Sequence, residues 1–322
     1  MEDARKLISL IVPCYNEQEA LPLFYQAAAR QMDALPGYRF ELIFVDDGSR
    51  DQTLSLLKAY AGKDERVHYL SFSRNFGKES AMYAGLVNAS GDYVAILDAD
   101  LQDPPALLPQ MLDAIEREGY DSVAARRVTR EGEGRVRSFL SRRFYAVMSR
   151  ITRMEMIEGA RDFRLMTRAY VDALLALSER CRFTKGMFSW VGFKTKWIGY
   201  ENVERAAGET KWNMMQLFKY ALEGIFAFSV APLALASYFG IAFCGLALLA
   251  FLFVFIRALV CGDPVAGWPS LVCIVLFLSG VQLFCLGMVG QYLARVYTES
   301  KHRPLFICRE ANISEEKFVK MG

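Results

Sequence analysis

The sequence predicts an α/β domain built on a mixed, mainly parallel sheet with helices on both faces. Two amphipathic interfacial helices and a C-terminal hairpin of two transmembrane helices are expected to complete the chain. Three observations carry this expectation. Short β-rich runs alternate with helical stretches from residue 7 to 126. Polar residues collect where those runs end. Two long intervals near the C-terminus hold no charge.

The alternation reads LISLIVP, a helix over 18–34, FELIFVD, a helix over 51–61, VHYLSF, a helix over 78–88, DYVAILD, a helix over 105–118 and DSVAA. Repeated βα units imply parallel strands joined by crossover helices. Ligands of such sheets bind beyond the carboxyl ends of the strands. Pro13, Tyr15, Asn16 and Glu17 follow the first strand, Asp46, Asp47, Gly48 and Ser49 the second, Arg74 and Lys78 the third, and Asp98, Asp100, Gln102 and Asp103 the fourth. One polar loop is ordinary turn chemistry; four converging at one sheet edge mark a site.

Within ILDADLQDPP, Asp98 and Asp100 flank a small residue directly after an apolar run, with Gln102 beside them. Oxygen donors of this kind suit Mg²⁺ or Mn²⁺, which completes its shell with substrate phosphates. Two common nucleotide-binding motifs do not fit. The first glycine of a GxxxxGK phosphate loop ending at Lys78 is replaced by Phe72, and no GxGxxG follows the first strand.

No charged residue lies between Glu223 and Arg257, or between Asp263 and Arg295. Each interval exceeds the roughly 20 residues that cross a bilayer as a helix, which places spans at about 233–257 and 268–294. Lys211 and Lys219 precede the first, and Arg295, Lys301 and Arg303 follow the second, so the positive-inside rule leaves both termini in the cytosol. Catalytic domain 1–210, interfacial helix 211–230, spans within 231–294 and cytosolic tail 295–322 follow as the expected domains. A further amphipathic, arginine-rich helix over about 135–152 is expected to meet anionic headgroups. Gly280, Gly287 and Gly290 favour close helix packing and self-association, and RPLFICRE is expected to add a short strand elsewhere.

Composition fits a folded protein: 53% hydrophobic, 23% charged and a formal net charge of +2, with no polyanion-seeking excess that would favour nucleic acid. The seven cysteines contain no CxxC pair and the two histidines stand apart, so zinc is disfavoured and the cysteines read as buried thiols of a reducing compartment. The opening residues reach a strand without the basic segment and apolar core of a signal peptide, and the first domain is expected to stay cytosolic.

VPCYNE, VDDGSRDQT, RNFGKESAMYAGL, DADLQDPP, DFRLM and GETKW occur in one order along the chain. As a set they resemble the family 2 glycosyltransferases of the GT-A, Rossmann-like fold. With the two spans they resemble in particular the polyprenyl-phosphate group, which includes bactoprenol glucosyltransferase and dolichol-phosphate mannose synthase. The resemblance implies that Pro13, Tyr15, Glu17 and Asp46 surround the nucleoside. Asp47, Lys78, Asp98 and Ala99 join them on the nucleotide sugar. It further implies that Asp98, Asp100 and Gln102 hold the divalent ion, that Asp162 is the acidic residue beside the reacting sugar, and that Arg126 meets the acceptor phosphate. Asp100, Asp162 and Arg126 are thus the expected catalytic set, and Arg205 and Lys211 extend the acceptor-phosphate site. The chain departs from its relatives at Gly159, where many carry a second acid, and at Asn202, where an arginine is common.

The implied reaction is inverting transfer of a hexose, with UDP-glucose the first expectation, to polyprenyl phosphate at the cytosolic membrane face; the acceptor is undecaprenyl phosphate if the source is bacterial. The lipid phosphate is already largely dianionic at pH 7, so it needs positioning more than a strong base. Two rival functions fit the sequence less well. A processive polysaccharide synthase carries more spans and a QxxRW segment, where this chain has QLFKY; a non-catalytic scaffold would have no need of the acids retained here.

Overall fold

The structure, a computed structural model, describes residues 5–128, 157, 159–180, 182–201, 229, 231–261 and 267–313. The expected interfacial helices at 135–152 and 211–230, together with Arg205, Lys211 and Asn202, lie outside the described residues apart from Ser229. The chain divides into two compact units, one of residues 1–217 with 303–322 and one of residues 218–302.

The first unit opens with the expected alternation: β1 (Leu7–Cys14), α1 (Leu21–Asp33), β2 (Arg39–Asp46), α2 (Thr53–Ala61), β3 (Val67–Phe72), α3 (Lys78–Asn88) and β4 (Tyr93–Ile96). A 3₁₀ turn at Pro105–Leu107 leads into α4 (Leu108–Glu116), followed by β5 (Ser122–Arg127). α1 starts three residues later than its apolar pattern, because the Ala20 and Leu21 N–H groups both bond the Glu17 carbonyl and Pro22 suits the first turn.

Beyond β5 come β6 (Ala160–Thr167), α5 (Arg168–Ala176), α6 (Thr184–Trp190), β7 (Thr195–Tyr200) and β8 (Cys308–Ala311). The eight strands form one sheet in the order β7-β5-β6-β4-β1-β2-β3-β8. β1, β2, β3 and β4 pair in parallel, as do β5 and β7. β6 inserts antiparallel between β4 and β5, and β8 closes the far edge antiparallel to β3. The sheet is therefore mostly parallel and mixed.

β1 is apolar almost throughout because both of its faces are covered. Ile8, Leu10 and Val12 enter a core shared with Phe24 and Ala28 of α1, Leu57 of α2 and Met111 of α4. Ile11 points the other way, toward Gly85 of α3, where a Cβ would come within 2.2 Å of Ile11 Cγ2. This close approach draws α3, and Lys78 at its start, against the centre of the sheet.

The tail segment RPLFICRE does form a strand. β8 follows Phe306, whose ring stacks on Phe72 at the end of β3 with centroids 4.8 Å apart. Asn312 locks the edge, accepting from Tyr69 N at 2.7 Å and donating to Val67 O at 3.2 Å.

The second unit contains α7 (Ala231–Cys261) and α8 (Trp268–Ser300). Tyr292 Oη donates to Ser229 O at 2.6 Å, Cys285 Sγ to Ala236 O at 3.7 Å, and Phe277 lies 5.4 Å from Phe243. Within α8, Phe277–Ser300 runs for 24 residues and contains a stretch of mean hydropathy 1.4, long and apolar enough to cross a bilayer. Among the described residues α7 presents a shorter apolar stretch, Pro232–Phe243.

Candidate active site

The parallel strands deliver their following loops to one edge, and side chains from separate loops bind one another there. Asn16, at φ 53°, turns the chain after β1 in a left-handed conformation that asparagine tolerates. Its N–H donates to Ser49 Oγ at 2.9 Å and its Oδ1 accepts from Arg50 N at 2.9 Å. Glu17 N donates to Thr53 Oγ1 at 2.9 Å. The loops after β1 and β2 thereby form one braced surface carrying Pro13, Tyr15 and Glu17, all partly buried.

Asp46 and Asp47 lie beneath this surface. Asp46 is buried, accepting from Ser49 N at 3.0 Å and Ser71 Oγ at 2.7 Å. Asp47, also buried, accepts from Phe76 N at 2.6 Å and Gly77 N at 2.9 Å. Between them, both carboxylates fix the loops after β2 and β3. Burial pushes the Asp47 carboxyl above its usual range against the opposing pull of the two N–H groups. Gly48, at φ 68°, lets the β2 loop touch the β3 loop, since a Cβ there would sit 2.5 Å from the Arg74 carbonyl carbon.

That bracing presents Lys78. Its Nζ lies 2.6 Å from Asp98 Oδ1 and 2.5 Å from Asp162 Oδ2, joining the loop after β4 to β6. Burial alone would push the Asp162 carboxyl up, but Lys78, Lys185 and Arg161 outweigh it and hold the group well below the usual carboxylate range. On Lys78, whose side chain still reaches solvent, partial loss of hydration opposes the charge, and Asp162 and Asp98 overcome it, so the ammonium persists far into alkaline pH.

Ala99 is buried between Asp98 and Asp100. Leu101 adopts φ 57°, rare for a branched side chain, and packs against the core. Asp100 Oδ1 accepts from Gln102 N at 3.1 Å. Gln102 Oε1 accepts from Arg161 Nη2 at 3.3 Å, so the amide oxygen expected to face a metal is engaged with a guanidinium. Among the described residues no cluster of three or more His, Cys, Asp or Glu is arranged to hold a metal. The carboxylates of Asp98 and Asp100 supply hard oxygen donors alone, a set that fits Mg²⁺ or Mn²⁺ sharing its shell with phosphate.

Arg126 is the penultimate residue of β5, exposed and paired in register with Ala160. Gly159, just before β6, sits at φ 78°, and a Cβ there would lie 2.7 Å from the Arg127 carbonyl oxygen. The missing second acid thus has a local cause: this turn is built on glycine.

Asp103 belongs to the polar loop expected after the fourth strand, but its partners carry no signal in the sequence, and neither do the roles of Glu79 and Arg164. Asp103 bonds the Tyr200 hydroxyl, lies 3.6 Å from Arg161, and is pushed up to about 6 mainly by burial. Glu79 accepts from the Thr184 N–H at 2.9 Å and anchors the start of α6. Arg164 is buried beneath Phe188, 4.1 Å from its ring, with Nη1 donating to Tyr170 Oη at 2.7 Å. Only DFRLM hinted at this group, through a charge recurring in an otherwise apolar strand.

A lysine shared by two carboxylates thus lies at the carboxyl edge of a mostly parallel sheet, where ligands of such sheets bind. Comparison with known proteins gives the family: the chain belongs to glycosyl transferase family 2, whose model matches residues 9–175. It is 43% identical over 302 residues to the bactoprenol glucosyl transferase of Shigella phage SfV, covering 94% of this chain and 98% of that protein. It is 40% identical over 302 residues to the prophage bactoprenol glucosyl transferase homolog of Escherichia coli strain K12, again covering 94% and 98%. Among solved structures, the mannosyltransferase PcManGT from Pyrobaculum calidifontis in complex with GDP-Man and Mn²⁺ is 18% identical, covering 90% of this chain and 87% of that one, with a TM-score of 0.45.

Proposed function

We propose that this family 2 enzyme transfers a hexose, glucose from UDP-glucose in the first instance, to a polyprenyl phosphate at the cytosolic face of a membrane, with inversion at the anomeric carbon. The observation that carries the reading is the junction of Lys78, Asp98 and Asp162 at the carboxyl edge of the sheet. Near end-to-end likeness to proteins named bactoprenol glucosyl transferase supports the acceptor class.

In this reading Pro13, Tyr15 and Glu17 face the nucleoside, on a platform that Asp46 and Asp47 make rigid. Asp98 and Asp100 would hold Mg²⁺ or Mn²⁺, which when bound stabilises the charge growing on the departing diphosphate. Gln102 can join them only by releasing Arg161. Asp162, kept ionised by Lys78, orients the sugar or acceptor through hydrogen bonds instead of acting as a strong base. Arg126, with Arg205 and Lys211, offsets repulsion between two anionic substrates. One displacement at the anomeric carbon converts a UDP-α-sugar into a β-linked lipid phosphate.

The membrane part of the proposal is a two-helix hairpin with both ends cytosolic. Leu246, Phe253 and Ile256 of α7 and Leu271, Phe277 and Leu283 of α8 are exposed, an apolar surface suited to lipid. The chain leaves the first unit before α7 and rejoins its sheet at β8, which supports an even number of crossings. Self-association through Gly280, Gly287 and Gly290 is part of the proposal, since a Cβ at any of them would meet nothing within 4 Å.

The test is incubation of the purified full chain with Mg²⁺ or Mn²⁺, polyprenyl phosphate and a panel of nucleotide sugars, with mass spectrometry of the lipids and an Asp100→Ala control. A metal-dependent glycosyl phospholipid absent from the control is the expected result. No product with any donor, from folded protein, would favour a non-catalytic scaffold; a polymer would favour a processive synthase.

A further inference from the structure

Asp98 is asked to serve two cations that compete for it. Its carboxylate is a candidate ligand for a divalent cation, yet Asp98 Oδ1 is held at 2.6 Å by the ammonium of Lys78. The same ammonium lies 2.5 Å from Asp162 Oδ2. Two carboxylates on neighbouring segments, one after β4 and one on β6, would repel across the site without it. A dication on Asp98 with Lys78 still in place would bring like charges together.

We propose that Lys78 is a built-in counter-ion that stands in for the divalent cation while the donor is absent. It neutralises Asp98 in the donor-free enzyme, gives up that carboxylate when nucleotide and metal enter, and keeps its contact with Asp162 while its ammonium turns to the incoming diphosphate oxygens. The inference rests on the reading that Asp98 and Asp100 hold the metal.

The site is built for such an exchange. The Lys78 side chain is 42% exposed, and its flexible four-carbon stem carries a point charge able to change partners without the geometric demands of a guanidinium. Its backbone origin is fixed, because Asp47 grips the Phe76 and Gly77 N–H groups immediately before it. Asp98 is less enclosed than Asp162, with side-chain exposures of 26% and 14%, so Asp98 is the partner that yields. The consequence is thermodynamic coupling: metal alone must displace an internal cation, whereas metal with nucleoside diphosphate brings the anion that receives it.

The experiment is Mn²⁺ titration of the purified full chain, followed by the electron paramagnetic resonance signal of free Mn²⁺, with and without UDP, or with GDP if UDP does not bind. Wild type is expected to bind Mn²⁺ weakly alone and tightly with the nucleotide. Lys78→Met should tighten donor-free binding about tenfold and shrink the effect of nucleotide by a similar factor. Lys78→Arg, which keeps the charge, should retain weak donor-free binding. Lys78→Gln supplies the same comparison should the methionine variant fail to fold. Mere structural damage would weaken Mn²⁺ binding, opposite in sign to the expectation. The proposal is overturned if wild type shows nucleotide-dependent Mn²⁺ binding while neither neutral variant binds Mn²⁺ more tightly alone. If wild type binds no Mn²⁺ even with nucleotide, the metal-site reading itself fails and the exchange with it.

Discussion

Replacing Asp47 with alanine tests whether a buried carboxylate, and not substrate, sets the position of the loop that carries Lys78. Asp47 is 3% exposed and accepts from two backbone donors, Phe76 N at 2.6 Å and Gly77 N at 2.9 Å. Hydrogen bonds to a charged group contribute about 1.5–3 kcal/mol each. Burial outweighs that pull and pushes the Asp47 carboxyl upward, so the expected loss of about 2–4 kcal/mol comes mainly from the two N–H donors that alanine would leave unpaired. In a unit of this size each kcal/mol moves the melting temperature about 2–4 °C, so a fall of roughly 5–15 °C is expected. Asp47→Asn keeps one acceptor oxygen and should lose about half as much. The assays are thermal melting in detergent and amide hydrogen exchange, which should accelerate at Phe76 and Gly77 in the alanine variant. Unchanged protection of both amides, with a melting shift under about 2 °C, would refute the bracing role.

Other outcomes follow from the same geometry. Asp162→Asn is expected to lower turnover by about 10²-fold or more while leaving nucleotide affinity near wild type, read by initial rates and calorimetry. Asp103, pushed up to about 6, favours its protonated form in the folded state; relative to Asp103→Asn, the wild type should lose about 3 kcal/mol as pH rises from about 4 to above 6, measured by unfolding at each pH. Gly159→Ala forces a Cβ to 2.7 Å from the Arg127 carbonyl oxygen at φ 78°, so a stability loss of about 1–3 kcal/mol is expected by thermal melting. Phe306→Ala removes the ring stacked on Phe72 and should cost about 3–5 kcal/mol, detected as faster proteolytic release of the C-terminal segment.

The first five strands and four helices were legible because each is short, apolar and bounded by its own turn residues. Asp98 and Asp100 were legible for a related reason, since a strand of YVAI ending in DAD can only present its carboxylates beyond the sheet. What escaped was pairing. β6 carries three charges among its eight residues, and nothing local dictates that it enters antiparallel between β4 and β5. Its placement nevertheless brings Asp162 to Asp98 and Lys78, residues 64 and 84 positions away in the chain.

Asp46 and Asp47 make the same point from the other side. Their position after β2 marked them for the nucleotide edge, but position does not reveal whether a carboxylate faces outward to ligand or inward to the Ser71 hydroxyl and the Phe76 and Gly77 amides. Periodicity, turn chemistry and charge are local properties, so the sequence by itself determined the class of fold, the sheet edge where the acidic loops collect and the apolar C-terminal segments. Which carboxylate shares which cation, and which strand closes the edge at β3, depends on contacts between residues far apart in the chain. Only the tertiary structure decided those.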